Sequence, residues 1–175
     1  MQSRSPSGQR GPTSLQLLDV SARTTRSRSE GDLNTLTSSF DSVLAPIIGD
    51  NEYAPLNTDV PHRLFVRGRV VPRAKWLLLG VFDWRTGLPY SVVNETLDFV
   101  GPRNARRFPD YCRLELGLER RIKVFRFQPW VGVRLNNALG QSLPDEVQNN
   151  TGSPYFGGFY NSEPRRIRLA VRFER

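Results

Sequence analysis

The sequence predicts an all-β fold in which about six antiparallel strands form a partial, open barrel. Three observations carry this expectation. Apolar and charged residues alternate with a period of two over stretches of strand length, which sends them to opposite faces of a sheet. No stretch carries the 3.6-residue periodicity of an amphipathic helix, so no helical layer is at hand to cover the apolar faces. The connections between the alternating stretches run long, short, long, short, long, as in a chain that turns tightly on one side only.

Residues 1–14 are Ser-, Gly-, Pro- and Arg-rich and lack an apolar run. They read as a disordered N-terminal segment and not as a secretory signal, leaving 15–175 as the barrel unit. Leu15 to Arg28 alternates weakly, with Leu18, Val20 and Ala22 against Asp19, Ser21 and Arg23. Glu30 to Pro61 follows as a long irregular connection, with room for a short helical turn over Ser38 to Ile48. His62 to Val71 alternates clearly: Leu64, Val66, Gly68 and Val70 on one face, Arg63, Phe65, Arg67 and Arg69 on the other. A tight break at Pro72-Arg73-Ala74 turns the chain into Lys75 to Trp84, apolar on both faces and tipped by Trp76 and Trp84.

Arg85 to Pro109 is a second long connection, marked by Gly87, Pro89, Gly101, Pro102 and Pro109. Asp110 to Arg120 has the cleanest pattern, Cys112, Leu114, Leu116 and Leu118 against Arg113, Glu115, Gly117 and Glu119. A short connection over Arg121 to Lys123 leads into a strand expected over Val124 to Leu139, with a bulge at Pro129, which has no N–H to donate. Gly140 to Glu163 is the third long connection. The last strand, Pro164 to Arg175, sets Ile167, Leu169, Val171 and Phe173 against Arg166, Arg168, Arg172 and Glu174.

Composition narrows the function. The chain has 175 residues, 38% of them hydrophobic, and a mean hydropathy of −0.46. Its longest apolar run, Trp76 to Phe82, is far below the ~20 residues of a transmembrane helix. Twenty-five Lys and Arg against 17 Asp and Glu give a net charge of +8, and Lys75 and Lys123 are the only lysines. Such a balance points to an anionic partner or to a solvated, ion-paired surface. A single Cys112 and a single His62 exclude an intrachain disulfide and a thiol–imidazole zinc site. No nucleophile–base pair, phosphate-cradling glycine loop or acidic metal cluster is present, so neither an enzyme nor a cofactor protein is expected.

Two solvents fit the apolar stripe. In a soluble barrel or sandwich it is the core; in an outer-membrane barrel it meets lipid and the polar face lines a wet lumen. The asymmetry of the connections favours the second, as do aromatics near strand ends (Trp76, Trp84, Tyr111, Phe125, Phe173), where a membrane-interface girdle stands. With both ends of an even-stranded sheet on the periplasmic side, every short turn falls there and every long loop outside. The competing expectation is a soluble basic β-protein that binds nucleic acid through an arginine-rich strand face. Its charged faces carry few of the aromatics on which single-strand binders stack bases.

Several loop strings carry a resemblance. They are Asn51-Glu52-Tyr53-Ala54-Pro55 with Asp59-Val60-Pro61-His62-Arg63, then Trp84-Arg85-Thr86-Gly87-Leu88-Pro89-Tyr90-Ser91. A third group joins Asn136-Asn137-Ala138-Leu139, Asp145 to Asn150 and Gly152-Ser153-Pro154-Tyr155-Phe156-Gly157. Together with the arginine-rich closing strand, they resemble the C-terminal barrel of a TonB-dependent outer-membrane receptor of the Oar-like, carboxypeptidase-regulatory-like-domain branch. The resemblance covers roughly Ser27 to Phe173. It implies a bacterial outer-membrane location and a share in active uptake of a large or scarce ligand. It also implies partners: membrane lipid, the rest of a 22-stranded barrel and its plug, the TonB complex and the barrel-assembly machinery. No nucleic acid is among them. Plug, TonB-contacting segment and signal peptide lie outside these residues, which makes the chain a fragment not competent for transport alone. Phe173 is the counterpart of the family's terminal assembly-signal aromatic, although Glu174 and Arg175 follow it.

The expected lumen-facing residues are Arg63, Arg67, Arg69, Arg113, Glu115, Glu119, Arg166, Arg168 and Arg172. They could form a positive wall for an anionic ligand. The preferred expectation pairs Arg63, Arg67, Arg69, Arg166, Arg168 and Arg172 with Glu115, Glu119 and Glu174 across strands, at ~0–1 kcal/mol per exposed pair. Arg103, Arg106 and Arg107 are expected in a solvated loop or against lipopolysaccharide. Tyr155, Phe156, Phe159 and Tyr160 are expected to pack the last loop, and His62 to be structural. About six strands fall short of the eight of the smallest membrane barrel, so the isolated chain should expose open edges and associate.

Overall fold

A computed structural model describes residues 17–31, 53–72 and 75–173. The N-terminal segment, the helical turn expected over Ser38 to Ile48 and Glu174 lie outside the described residues.

The described residues contain no helix, and six strands form one antiparallel sheet. These are β1 (Leu17–Arg26), β2 (His62–Val71), β3 (Trp76–Arg85), β4 (Tyr111–Arg121), β5 (Trp130–Asn136) and β6 (Arg166–Arg172). Each strand neighbours the next in sequence, so the sheet is a meander with β1 and β6 at its edges. The long connections, β1–β2, β3–β4 and β5–β6, all lie at one end; the short ones, β2–β3 and β4–β5, lie at the other. The all-β class and the parity of the connections are therefore as the sequence predicts. The sheet is not closed.

Register decides what each face presents, because residues directly opposite in an antiparallel pair point the same way. Leu18 opposes Val70, which opposes Leu78, which opposes Leu118, then Val133 and Leu169. The next two rows toward the long connections repeat this: Leu116, Leu135 and Ile167 lie in the first, and Ala22, Val66, Phe82 and Leu114 in the second. One aliphatic surface thus runs without a break over all six strands. It has no second layer among the described residues: Val20 is 57% exposed, Leu116 45%, Ile167 70% and Leu169 84%. Among the described residues Leu77 is the one buried apolar residue of the sheet, and the others (Ala54, Val92, Leu143) sit in the long connections. The sheet has no aliphatic core of its own.

The strand expected over Val124 to Leu139 is corrected. Only Trp130–Asn136 is strand; residues 122–129 form the connection, closed by reciprocal backbone bonds between Val124 and Phe127. Phe125 at its tip has φ +52 and is 91% exposed. Pro129 donates no ladder bond, and a left-handed residue cannot continue a pleated strand, so the alternation of Phe125 and Phe127 belongs to a turn. Phe127 instead meets Phe173 edge to face, ring centroids 6.4 Å apart.

The three long connections interlock as a cap at their end of the sheet. Within each lies a small ladder: Glu30–Gly31 with Ala54–Pro55, Pro89–Tyr90 with Arg106–Arg107, and Pro144–Val147 with Phe159–Ser162. Between them, Asp59 (2% exposed) accepts the Ser29 N–H at 2.8 Å and the Arg107 guanidinium at 2.6 Å. Asn104, buried at φ +54, donates to the Pro55 carbonyl and accepts the Ser91 hydroxyl. Asn149 donates to Ser91 O, and Tyr90, Phe108 and Phe159 meet as an aromatic trio. Asn137, 1% exposed at φ +50, donates to both Gln141 O and Glu163 O, tying the start of the last connection to its end.

Candidate functional site

The face opposite the aliphatic one carries the charge. Strand alternation places Asp19, Ser21 and Arg23 of β1 there, with Arg63, Arg67 and Arg69 of β2 and Asp83 of β3. From the other half come Arg113, Glu115 and Glu119 of β4, Arg134 of β5 and Arg166, Arg168 and Arg172 of β6. All nine residues expected to face a lumen share this face. The sheet curls toward it, leaving a hollow of about 680 Å³ lined from Asp19 on β1 to Ala170 on β6.

Small residues make room on this face, Gly117 within the hollow and Gly132 beside it. Gly117 lies beneath Arg134, its direct cross-strand partner, and a Cβ there would touch Leu79 at 3.2 Å and Arg134 at 3.7 Å. Gly132 opposes Glu119 so closely that a Cβ would stand 2.7 Å from the glutamate Cγ and 3.0 Å from Leu118 O. Glycine here makes room for the charged side chains above it.

Two sets of charges emerge. The first is paired. Arg63 forks onto Asp83, with Nε and Nη2 at 3.0 and 2.8 Å from the two carboxylate oxygens. Arg113 reaches Glu115 and Glu163, each at 3.2 Å. Glu119, 7% exposed in its side chain, accepts from Arg134 at 3.1 Å and lies 3.4 Å from the Arg172 guanidinium. The second set is different. Arg67, Arg69, Arg166 and Arg168 have no carboxylate at ion-pair distance among the described residues. Arg168 moreover stands directly opposite Arg134, a like-charge cross-strand pair.

The expected pairing is thus corrected for four of the six strand arginines, which find no carboxylate among the described residues. Arg172 meets Glu119 as expected, Arg63 finds Asp83 in place of a glutamate, and Arg113 adds a pair with Glu115 on its own strand. Register explains the rest. Arg67 opposes Ser21 and Val81, and Arg69 opposes Asp19 and Leu79, so the side chains of β3 stand between them and Glu115 or Glu119, whereas Arg172 reaches Glu119 past Gly132, which has no side chain. Strand pairing is a tertiary fact that single-strand alternation does not contain. Arg134 and Asp83 join the expected residues on this face, and the alternation of their own strands is the signal for both.

Of the three arginines expected in a solvated loop, Arg103 is corrected, whereas Arg106 and Arg107 are exposed residues with partners in the cap. Arg103 is 3% exposed and bonds the Gly31 carbonyl. Arg107 bonds Asp59 and the Gly87 carbonyl, and Arg106 lies over the Phe156 ring at 5.4 Å. They hold the cap together. Phe159 packs the loop as expected, whereas Tyr155 is 78% exposed.

Glu119→Gln is expected to loosen the β4–β5–β6 end of the sheet. It removes the carboxylate that two guanidinium groups share, and bonds to charged groups contribute about 1.5–3 kcal/mol each when shielded. Both arginines are 55% exposed in their side chains, so solvent screening brings the expected loss to about 1–2 kcal/mol. Glu115→Gln, with its carboxylate 32% exposed, should cost about 0–1 kcal/mol. Amide exchange along β5 and β6 in detergent reads the difference; equal protection in the two variants would refute the shared-carboxylate account.

No protein-family model, curated protein or solved structure matches the chain.

Proposed function

We propose that this chain forms part of the wall of an outer-membrane β-barrel, in the manner of the C-terminal strands of a TonB-dependent receptor. The aliphatic face meets lipid, the charged face lines a water-filled interior, and the cap of long connections lies on the outer side. The observation that carries this reading is the aliphatic surface: in register over six strands, exposed, and uncovered among the described residues. Soluble monomers rarely expose apolar patches above a few hundred Å². Hydrocarbon removes that cost and suits strands that alternate apolar and polar residues.

Strand length and the aromatics agree with this placement. β1 to β3 have ten residues each and β4 has eleven, about 33 Å at ~3.3 Å per residue, enough to cross the ~25 Å apolar band at a tilt. At the short-turn end Trp76, Phe127 and Phe173 stand together with arginines, Arg120 lying 4.8 Å from the Trp76 ring. Amphipathic aromatics of this kind settle at a membrane–water interface. In this reading Phe173 serves as the assembly-signal aromatic, and the open edges of β1 and β6 join further strands of the same barrel. The chain then contributes strands and external loops to uptake of a large or scarce ligand through a plug, the TonB complex and the barrel-assembly machinery.

Folding the full chain into detergent micelles tests the proposal. The expected result is heat-modifiable migration on a gel, with protease cutting in the three long connections and sparing the strands. A monodisperse, folded monomer in plain buffer would overturn it.

A further inference from the structure

We infer that the hollow on the charged face is a binding site for a compact multivalent anion, one carrying two or more phosphate or carboxylate groups. The inference rests on the reading of this face as a wet interior and adds the chemistry of what that interior holds. Two positive walls flank the hollow: Arg67 and Arg69 on β2, Arg134 and Arg168 on β5 and β6. Between them lie the apolar Leu79 and Val81 and the small Gly117, with only Asp19 and Glu115 as carboxylates in the lining.

Three of these four arginines are not used up by the fold; the fourth, Arg134, is shared with Glu119. Arg67, Arg69 and Arg168 have no ion-pair partner among the described residues, and Arg168 faces Arg134 across the ladder. Like charges directly opposite destabilise a sheet, and an anion between them reverses the sign of that term. Guanidinium forks are also the side chains best shaped for phosphate and carboxylate oxygens.

Size and spacing set the ligand class. The hollow of about 680 Å³ falls within the range of small-molecule sites, ~300–1,000 Å³. β2 and β5 are three strands apart, about 14 Å along the sheet at ~4.8 Å per step, and the inward curl and the side chains shorten that gap. An anion must therefore present charge at both ends to engage both walls. A single-charged ion satisfies one wall only. Asp19 and Glu115 accept hydrogen bonds, so a hydroxyl between the anionic groups would suit the middle of the site.

The test is a calorimetric titration of the full chain in zwitterionic detergent with inorganic tripolyphosphate and with citrate. Saturable binding is expected, weakening as salt rises from about 50 mM to about 500 mM. Arg67→Gln and Arg168→Gln should each weaken it about tenfold, the loss of one charge-assisted contact. Arg126→Gln, the same change at the β4–β5 turn, should leave affinity within about twofold. Partition into vesicles should be the same for all variants, so a failure of lipid insertion is read separately from a failure of anion binding. Three results would overturn the inference: no saturation with either probe, equal loss in all three variants, or tighter binding of a random single-stranded oligonucleotide than of tripolyphosphate at equal phosphate concentration. Arg168→Glu gives an independent check, since it should abolish binding while relieving the repulsion with Arg134.

Discussion

Leu116→Arg is expected to drive the chain out of lipid, while Val81→Arg leaves it there. The two positions are neighbours in the sheet: Leu116 opposes Gly80, and Val81 opposes Glu115. They differ in the face they occupy. Leu116 is the central residue of β4 on the aliphatic side, 45% exposed and in row with Leu135, and Val81 is in row with Arg67 and Glu115 on the charged side. An arginine on the lipid face near the bilayer midplane costs about 2–4 kcal/mol, a drop of roughly 30- to 1,000-fold in partition, whereas lumen substitutions leave insertion intact. At position 81 the new guanidinium would stand across from Glu115, which can accept it. Flotation of vesicles after refolding measures both variants. A reversed order, with Val81→Arg excluded and Leu116→Arg retained, would put the charged face on lipid and end the proposal.

Gly87→Ala is expected to open the cap without unfolding the sheet. Gly87 leaves β3 against the backbone that returns toward β4. A Cβ there would lie 1.8 Å from the Phe108 carbonyl oxygen, 2.5 Å from its carbon and 2.9 Å from Pro109 O. Each of these is main chain, so no flexible side chain can yield. The close approach also carries the Phe108 N–H bond to Leu88 O at 2.9 Å and the Arg107 bond to Gly87 O at 3.0 Å. Separating the two segments therefore detaches Arg107, and with it the grip on Asp59 that joins this connection to the first. Overpacking alone costs ~1–3 kcal/mol, and the lost bonds bring the expected local destabilisation to about 3 kcal/mol or more. Exchange of the Phe108 amide and protease cutting between Arg85 and Asp110 should both rise sharply, with β3 and β4 still protected. Wild-type behaviour at both readouts would show that the segments do not meet as described.

Much of the sheet is legible in the alternation of single strands. Cys112 to Glu119 needs no more than its period of two to set leucines against charges, and β4 spans it. β5 was less legible because Phe125 and Phe127 keep the period while the backbone does not; φ +52 at Phe125 breaks the pleat that the pattern implies. The cap was legible as three long connections and no further. Its organisation depends on Asp59, Asn104 and Arg107 meeting partners tens of residues away, and no periodicity records such meetings. Arg103 departs from a solvated position for that reason: a charged residue in a loop is solvated by default, and only an acceptor brought by another connection draws it in.

The amino-acid order by itself determined the all-β class, the two-faced strands and the side on which the chain turns tightly, because side-chain alternation and turn chemistry are local properties of the backbone. The tertiary structure decided three other things. It aligned six separate stripes into one uncovered surface, curled the sheet toward its charges, and chose which arginines meet a carboxylate. Each follows from register, and register is a relation between strands that no single strand contains.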